Sequence, residues 1–195
     1  VISLGGIRDT LAGWIIKPLA PVLSKSRLTP NSLTVIGLAV NGFAAGAIAT
    51  RHLLLGGFLI LFSGLFDLLD GALARLTKQA TSFGALLDST ADRVSEAVLF
   101  FGLLFLFVKE SSVLGVFLVF LAMVGSFLIS YIRARAEGLG IACQVGLFTR
   151  AERVILLALG LIFKQILVAL LILVVIAFIT VGQRLLYVWH QANRI

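Results

Sequence analysis

The chain has 195 residues, a length that suits one domain; 60% of them are apolar, only 13% are charged, and the mean hydropathy is +1.12. That composition excludes an ordinary soluble enzyme. It points to an all-α integral membrane protein, because lipid offers a backbone no hydrogen-bond partners and each spanning helix satisfies its own. The formal net charge is +7 and there is one cysteine, Cys143, so no intrachain disulfide can form and the thiol reads as a small buried apolar group.

In chain order, residues 4–24 come first, "LGGIRDTLAGWIIKPLAPVLS". Apolar residues recur every three to four positions, Trp14 is present and two prolines interrupt, which suits a helix lying in the membrane interface. No apolar core followed by a small-residue cleavage site stands out, so no cleavable signal peptide is expected. "LTPNS" at 28–32 is a helix start: Thr29 can cap, and Pro30 is tolerated in the first turn. Six transmembrane spans are then expected, roughly 31–50, 53–75, 82–108, 111–134, 150–164 and 165–188, a bundle over 31–188 within a single domain 1–195. The uncharged runs 31–50, 111–132 and 165–183 are near the ~20 residues that cross a bilayer. "LTKQAT" at 76–81 breaks the second span from the third. "GLGIACQVGLF" at 138–148 reads as a loop, and "TRAE" at 149–152 has the spacing of a capping box, Thr149 with Glu152.

Six spans put both termini and the loops near 76–81 and 135–149 on one side. Thirteen of the sixteen Lys and Arg residues fall there, leaving Arg51, Lys109 and Lys164 for the other. Positively charged loops stay in the cytoplasm. The expectation is a multi-pass protein of the cell membrane with both termini and the active site on the cytoplasmic side. The basic face suits anionic headgroups or phosphorylated substrates, and no nucleic acid is expected.

Four of the nine acidic residues, Asp67, Asp70, Asp88 and Asp92, crowd into "DLLDGALARLTKQATSFGALLDSTAD" at 67–92. Ionisable groups in a span are expensive and mark function by default. Asp67 and Asp70 are three apart, Asp88 and Asp92 four apart, so each pair shares a helix face. The break at 76–81 lets the two faces oppose each other. Gly71, Ala74, Gly84 and Ala85 are small residues on or near them and permit close approach. Neighbouring carboxylates need cations between them. Oxygen-only ligands with no nearby His or Cys suit two Mg²⁺ or Mn²⁺, the pair that serves displacement at phosphorus.

The spacing Asp67-x2-Asp70-Gly71-x2-Ala74-Arg75-x8-Gly84-x3-Asp88-x3-Asp92 resembles, at all eight fixed positions, the signature of the CDP-alcohol phosphotransferase (phosphatidyltransferase) family. The resemblance implies an enzyme of phospholipid biosynthesis that displaces CMP from a CDP-linked lipid, such as CDP-diacylglycerol, with the hydroxyl of an acceptor alcohol. It implies that Asp67, Asp70, Asp88 and Asp92 hold two Mg²⁺ or Mn²⁺ and that Asp92 is the catalytic base. It further implies that Gly71 and Arg75 contact the CDP moiety, with Thr81 and the segment Asn31, Ser32, Leu33 and Thr34, and that the enzyme is a homodimer among membrane lipids. For Thr81 and Asn31, helix capping or turn formation is the alternative.

"SYIRARAEGLG" at 130–140 and "AER" at 151–153 resemble the prokaryotic branch of the family that takes inositol 1-phosphate. That likeness implies Ser130, Arg133, Arg153 and Arg194 as contacts to the acceptor's phosphate, snorkelling positive-inside residues being the alternative. Thr149-Arg150 stands where that branch has an acidic residue, which keeps glycerol 3-phosphate open as the acceptor. A cation or proton transporter is the alternative from another class; its carboxylates would line a path across the bilayer, whereas these cluster toward one end of their spans.

Overall fold

A computed structural model describes residues 29–76 and 81–193, the side chains of Ala72, Arg75 and Leu76 excepted. The expected interfacial helix at 4–24 and Arg194 lie outside the described residues. Those residues form six helices and no strand: α1 (Pro30–Ala49), α2 (Leu53–Leu76), α3 (Ser82–Lys109), α4 (Val113–Gly138), α5 (Arg150–Ile162) and α6 (Ile166–Ala192). Each expected span corresponds to one helix.

Length and composition let α1, α2 over Leu53–Gly71, α4 and α6 cross a membrane, and the chain is a multi-pass membrane protein. The remaining two helices fall short for different reasons. α3 is long enough, but Asp88, Asp92, Arg93 and Glu96 interrupt its apolar run. α5 has 13 residues, about 20 Å of helix against a hydrocarbon layer of about 30 Å.

α1 starts as its sequence dictates. Pro30 is the first helical residue, and the Thr29 hydroxyl accepts from the Ser32 N–H at 3.2 Å while the Ser32 hydroxyl accepts from the Thr29 N–H at 3.0 Å. The Thr29 N–H thereby gains an acceptor, and the Ser32 N–H is shared between the Thr29 hydroxyl and the Thr29 carbonyl at 3.0 Å. At α5 the Thr149 N–H donates to Glu152 Oε2 at 2.8 Å, the reciprocal half of a capping box.

Three short turns, 50–52, 110–112 and 163–165, share one construction. The N–H of His52, Ser112 and Gln165 each reaches back five residues, to the carbonyls of Ala47, Phe107 and Gly160. The residue before each lies in the left-handed region, Arg51 at φ 67°, Ser111 at 52° and Lys164 at 57°. These are Schellman ends closed without glycine, and the Arg51 guanidinium joins the first turn to the second through Glu110, with Nε 2.9 Å from Oε1.

The described chain divides into two compact units, one of residues up to Val40 with Phe62–Val94, the other of Asn41–Leu61 with Ser95 onward. In the first, buried Leu33 and Leu73 pack with Phe66 and Leu69, and the Ser63 hydroxyl donates to the Gly37 carbonyl at 3.0 Å. In the second, a larger core joins α3, α4, α5 and α6 around Phe100, Leu103, Ala122, Leu161 and Leu170. Backbone contact is closest at Gly102, where a Cβ would sit 2.6 Å from the Ala45 carbonyl oxygen. Only glycine permits α1 and α3 to touch there. Cys143 is fully buried in the loop after α4, packed with Ala136 and Ile141 against Tyr187 and Val188.

Candidate active site

The aspartates stand on α2 and α3 of the first unit. Asp67 and Asp88 are half-buried and Asp70 is buried. Oδ2 of Asp70 accepts from the Thr34 hydroxyl at 2.7 Å, which ties α1 to α2. Asp70 lies within electrostatic range of both Asp88 and Asp67. The α2 and α3 carboxylates are thus brought near each other, as their spacing predicts. Asp92 is half-buried, with Arg93 Nη1 3.6 Å from its Oδ2, and the same Nη1 donates to the Ser89 carbonyl at 2.7 Å.

The donor set is all-carboxylate, and its like charges are held together at partly buried positions. That chemistry fits hard divalent cations. Among the described residues no three carboxylate, imidazole or thiol side chains stand together closely enough to hold a metal ion.

Of the residues expected to meet the CDP moiety, Thr81, Ser32, Leu33 and Thr34 have a local task in the fold. Thr81 caps α3, its hydroxyl accepting from the Gly84 N–H at 2.9 Å. A Cβ on Gly84 would lie 3.0 Å from that hydroxyl and 3.3 Å from Oδ1 of Asn31. The signature glycine therefore leaves room for the Thr81 hydroxyl and the Asn31 amide oxygen beside it. Ser32 closes the N-terminus of α1, Leu33 is core and Thr34 holds Asp70. Gly71 is half-buried beside Asp70, and the Arg75 side chain lies outside the described parts.

The second unit carries the arginines expected at the acceptor. Ser130 is half-buried and Arg133 exposed on α4, with Arg133 Nε donating to Oε1 of Glu137 at 2.8 Å. Arg153 on α5 is buried and bonded through two nitrogens to Glu96 of α3. Arg184 on α6, also buried, donates from Nε to the Val145 carbonyl at 2.9 Å and from Nη1 to the Ile129 carbonyl at 2.5 Å. It lies within electrostatic range of Arg133 and Arg153. Arg184 thus clamps the end of α4 to the loop that leads into α5. Sequence reasoning passed over Glu96 and Arg184. The available signals were a carboxylate one turn after Asp92 and a lone arginine inside the last apolar run.

A helical membrane protein with carboxylates gathered on two consecutive helices of one unit, and arginines gathered in the other, has the charge pattern of a lipid-handling transferase. The sequence profile described as CDP-alcohol phosphatidyltransferase matches residues 27–188. An archaetidylinositol phosphate synthase of Methanothermobacter thermautotrophicus is 34% identical over 177 residues, covering 88% of each chain. A phosphatidylinositol phosphate synthase of Mycobacteroides abscessus is 38% identical over 188 residues, 91% of this chain and 84% of that one. The phosphatidylinositol phosphate synthase of Mycobacterium tuberculosis is similar in structure. With CDP-DAG bound it superposes with a TM-score of 0.79 at 33% identity, covering 92% of this chain and 94% of that one. Its complex with manganese and citrate gives 0.80 at 34% identity, covering 91% and 88%. The chain belongs to the CDP-alcohol phosphatidyltransferase family and is a transferase of that type.

Proposed function

We propose that this protein transfers a phosphatidyl or archaetidyl group from a CDP-linked lipid, such as CDP-diacylglycerol, to inositol 1-phosphate. The acceptor hydroxyl attacks the lipid-bearing phosphorus, a P–O bond to the acceptor forms, the P–O bond to CMP breaks, and Asp92 takes the hydroxyl proton. The observation that carries this reading is the complete set Asp67, Asp70, Asp88 and Asp92 on α2 and α3, with Asp70 in the field of Asp88 and Asp67. The names of the relatives, and the CDP-DAG and manganese complexes of the mycobacterial enzyme, support the donor, the acceptor and the metal.

In this reading Asp67, Asp70, Asp88 and Asp92 hold two Mg²⁺ or Mn²⁺. Bound there, the cations would offset charge on the diphosphate and on departing CMP. Gly71, Arg75, Asn31–Thr34 and Thr81 meet the CDP moiety; the Thr81 hydroxyl, an acceptor toward Gly84, keeps its own proton for a phosphate oxygen. Ser130, Arg133, Arg153 and Arg194 receive the acceptor's phosphate. The chain is one membrane domain with an interfacial helix at 4–24. All six helices cross the cell membrane, with the termini and the site cytoplasmic, and two copies form a homodimer. The short α5 is accommodated by local thinning of the bilayer.

Purified protein supplied with CDP-diacylglycerol, Mg²⁺ or Mn²⁺ and one acceptor at a time tests the reading. CMP release with inositol 1-phosphate is expected; release with glycerol 3-phosphate alone would overturn the acceptor. Chelation should abolish turnover and added Mn²⁺ restore it. Asp92→Asn should still bind CDP-lipid yet turn over about 10²–10⁴-fold more slowly; undiminished turnover removes Asp92 as the base.

A further inference from the structure

Glu96 and Arg153 are charged side chains almost without solvent, 6% and 2% exposed. They meet side-on: Nε donates to Oε1 at 2.7 Å and Nη2 to Oε2 at 2.9 Å. A guanidinium has five N–H donors in a rigid plane, so Glu96 uses one edge and leaves the other three donors directed away from itself. Two parallel bonds fix both the plane and the direction of that second edge, which a single bond does not. Packing alone is a poor reason for such a pair, because an apolar pair of the same volume is often as stable or more so.

We propose that Glu96 is a positioning residue that orients Arg153, so that the second edge of the guanidinium is presented to the phosphate of the acceptor alcohol. The inference rests on the reading of Arg153 as an acceptor-phosphate contact. The charge around the pair agrees with an anion-binding role. Arg133 and Arg184 are within range of one another, as are Arg153 and Arg184, while the carboxylates bonded to this group are Glu137 on Arg133 and Glu96 on Arg153. Three guanidiniums and two carboxylates leave a net positive charge. Arg184 gives two of its five donors to the Val145 and Ile129 carbonyls, neutral partners that leave its positive charge uncompensated. Glu96 also follows Asp92 by four positions in the sequence of α3.

Steady-state kinetics on the full chain, reconstituted in vesicles with CDP-diacylglycerol and Mn²⁺, test this. The wild-type arm names the phosphorylated alcohol that releases CMP. If none does, the functional reading falls, and this inference with it. With the acceptor that works, Glu96→Gln keeps the shape but loses the charge and one acceptor oxygen. Its KM for the acceptor should rise about tenfold or more, with the KM for CDP-lipid unchanged. Glu96→Asp keeps the charge, draws the carboxylate back by one methylene and preserves folding if Glu96→Gln does not; it too should raise the acceptor KM selectively. An unchanged acceptor KM in the folded variants, with only the melting temperature lowered, would make the pair a structural strut and overturn the proposal while leaving the functional reading intact.

Discussion

Asp70 shows how a neighbour prepares a carboxylate. It is buried, and its partner among the described side chains is the Thr34 hydroxyl at 2.7 Å. The two residues are 36 apart, so no spacing rule links them, and the family resemblance names Thr34 only as a contact to the CDP moiety. The aspartates themselves were legible, since charge in an apolar run is conspicuous and the three- and four-residue spacings choose a face. What holds Asp70 is tertiary and was not. Thr34→Val removes the hydroxyl with little change in shape. The buried carboxylate then loses its orienting donor, and partners of that kind are worth about 10–100-fold in metal affinity or activity. Mn²⁺ titration of CMP release should therefore show a higher half-saturating concentration for Thr34→Val and a near-normal one for Thr34→Ser. Equal titrations in all three proteins would show that Asp70 needs no such support.

Among the elements, helix centres were easier to read than helix ends. α4 runs to Gly138 and α6 to Ala192, each four residues beyond its expected span at 134 and 188. Hydropathy ends a span where charge begins, but the helix continues, and at α4 the Arg133–Glu137 pair one turn apart supports it. α5 stops at Ile162, short of the expected 164, because Lys164 takes the left-handed position that a sequence reader assigns to glycine. The loop after α4 was legible as a loop, yet its anchorage was not. That anchorage is Arg184, whose two carbonyl contacts join Ile129 to Val145, and Gly146 beside it at φ 135° has no room for a side chain, since a Cβ would lie 2.7 Å from Thr180 Cγ2. Arg184→Gln shortens the reach and frees the loop. A loss of about 1–3 kcal/mol is expected from buried groups left without partners, together with faster amide exchange over residues 139–149 than in α1 or α2. Exchange that rises evenly along the chain would mean Arg184 contributes only general stability.

For the whole molecule, orientation is the property that the charge distribution argues most directly. In the proposed six-span arrangement, thirteen of the sixteen cationic residues would fall on the side of the two long connections and the termini, and three on the side of the short turns. Those turns are built alike and carry Arg51 and Lys164 at exposed positions. The polar heads of a CDP-linked donor and a phosphorylated acceptor do not cross lipid unaided, so the proposed aspartate site has to open on the compartment that supplies them. Cysteine labelling decides the matter cleanly, because Cys143, the one native thiol, is 0% exposed and gives little background. Lys164→Cys and Leu139→Cys each place a thiol at an exposed position, one in a short turn and one in the long connection. In intact cells a membrane-impermeant maleimide should label Lys164→Cys, and Leu139→Cys only after permeabilisation. Labelling in the opposite order would invert the topology and place the aspartates on the outer face. Labelling of both in intact cells would mean that α5 does not carry the chain across, which its length of 13 residues makes the most exacting point of the six-span arrangement.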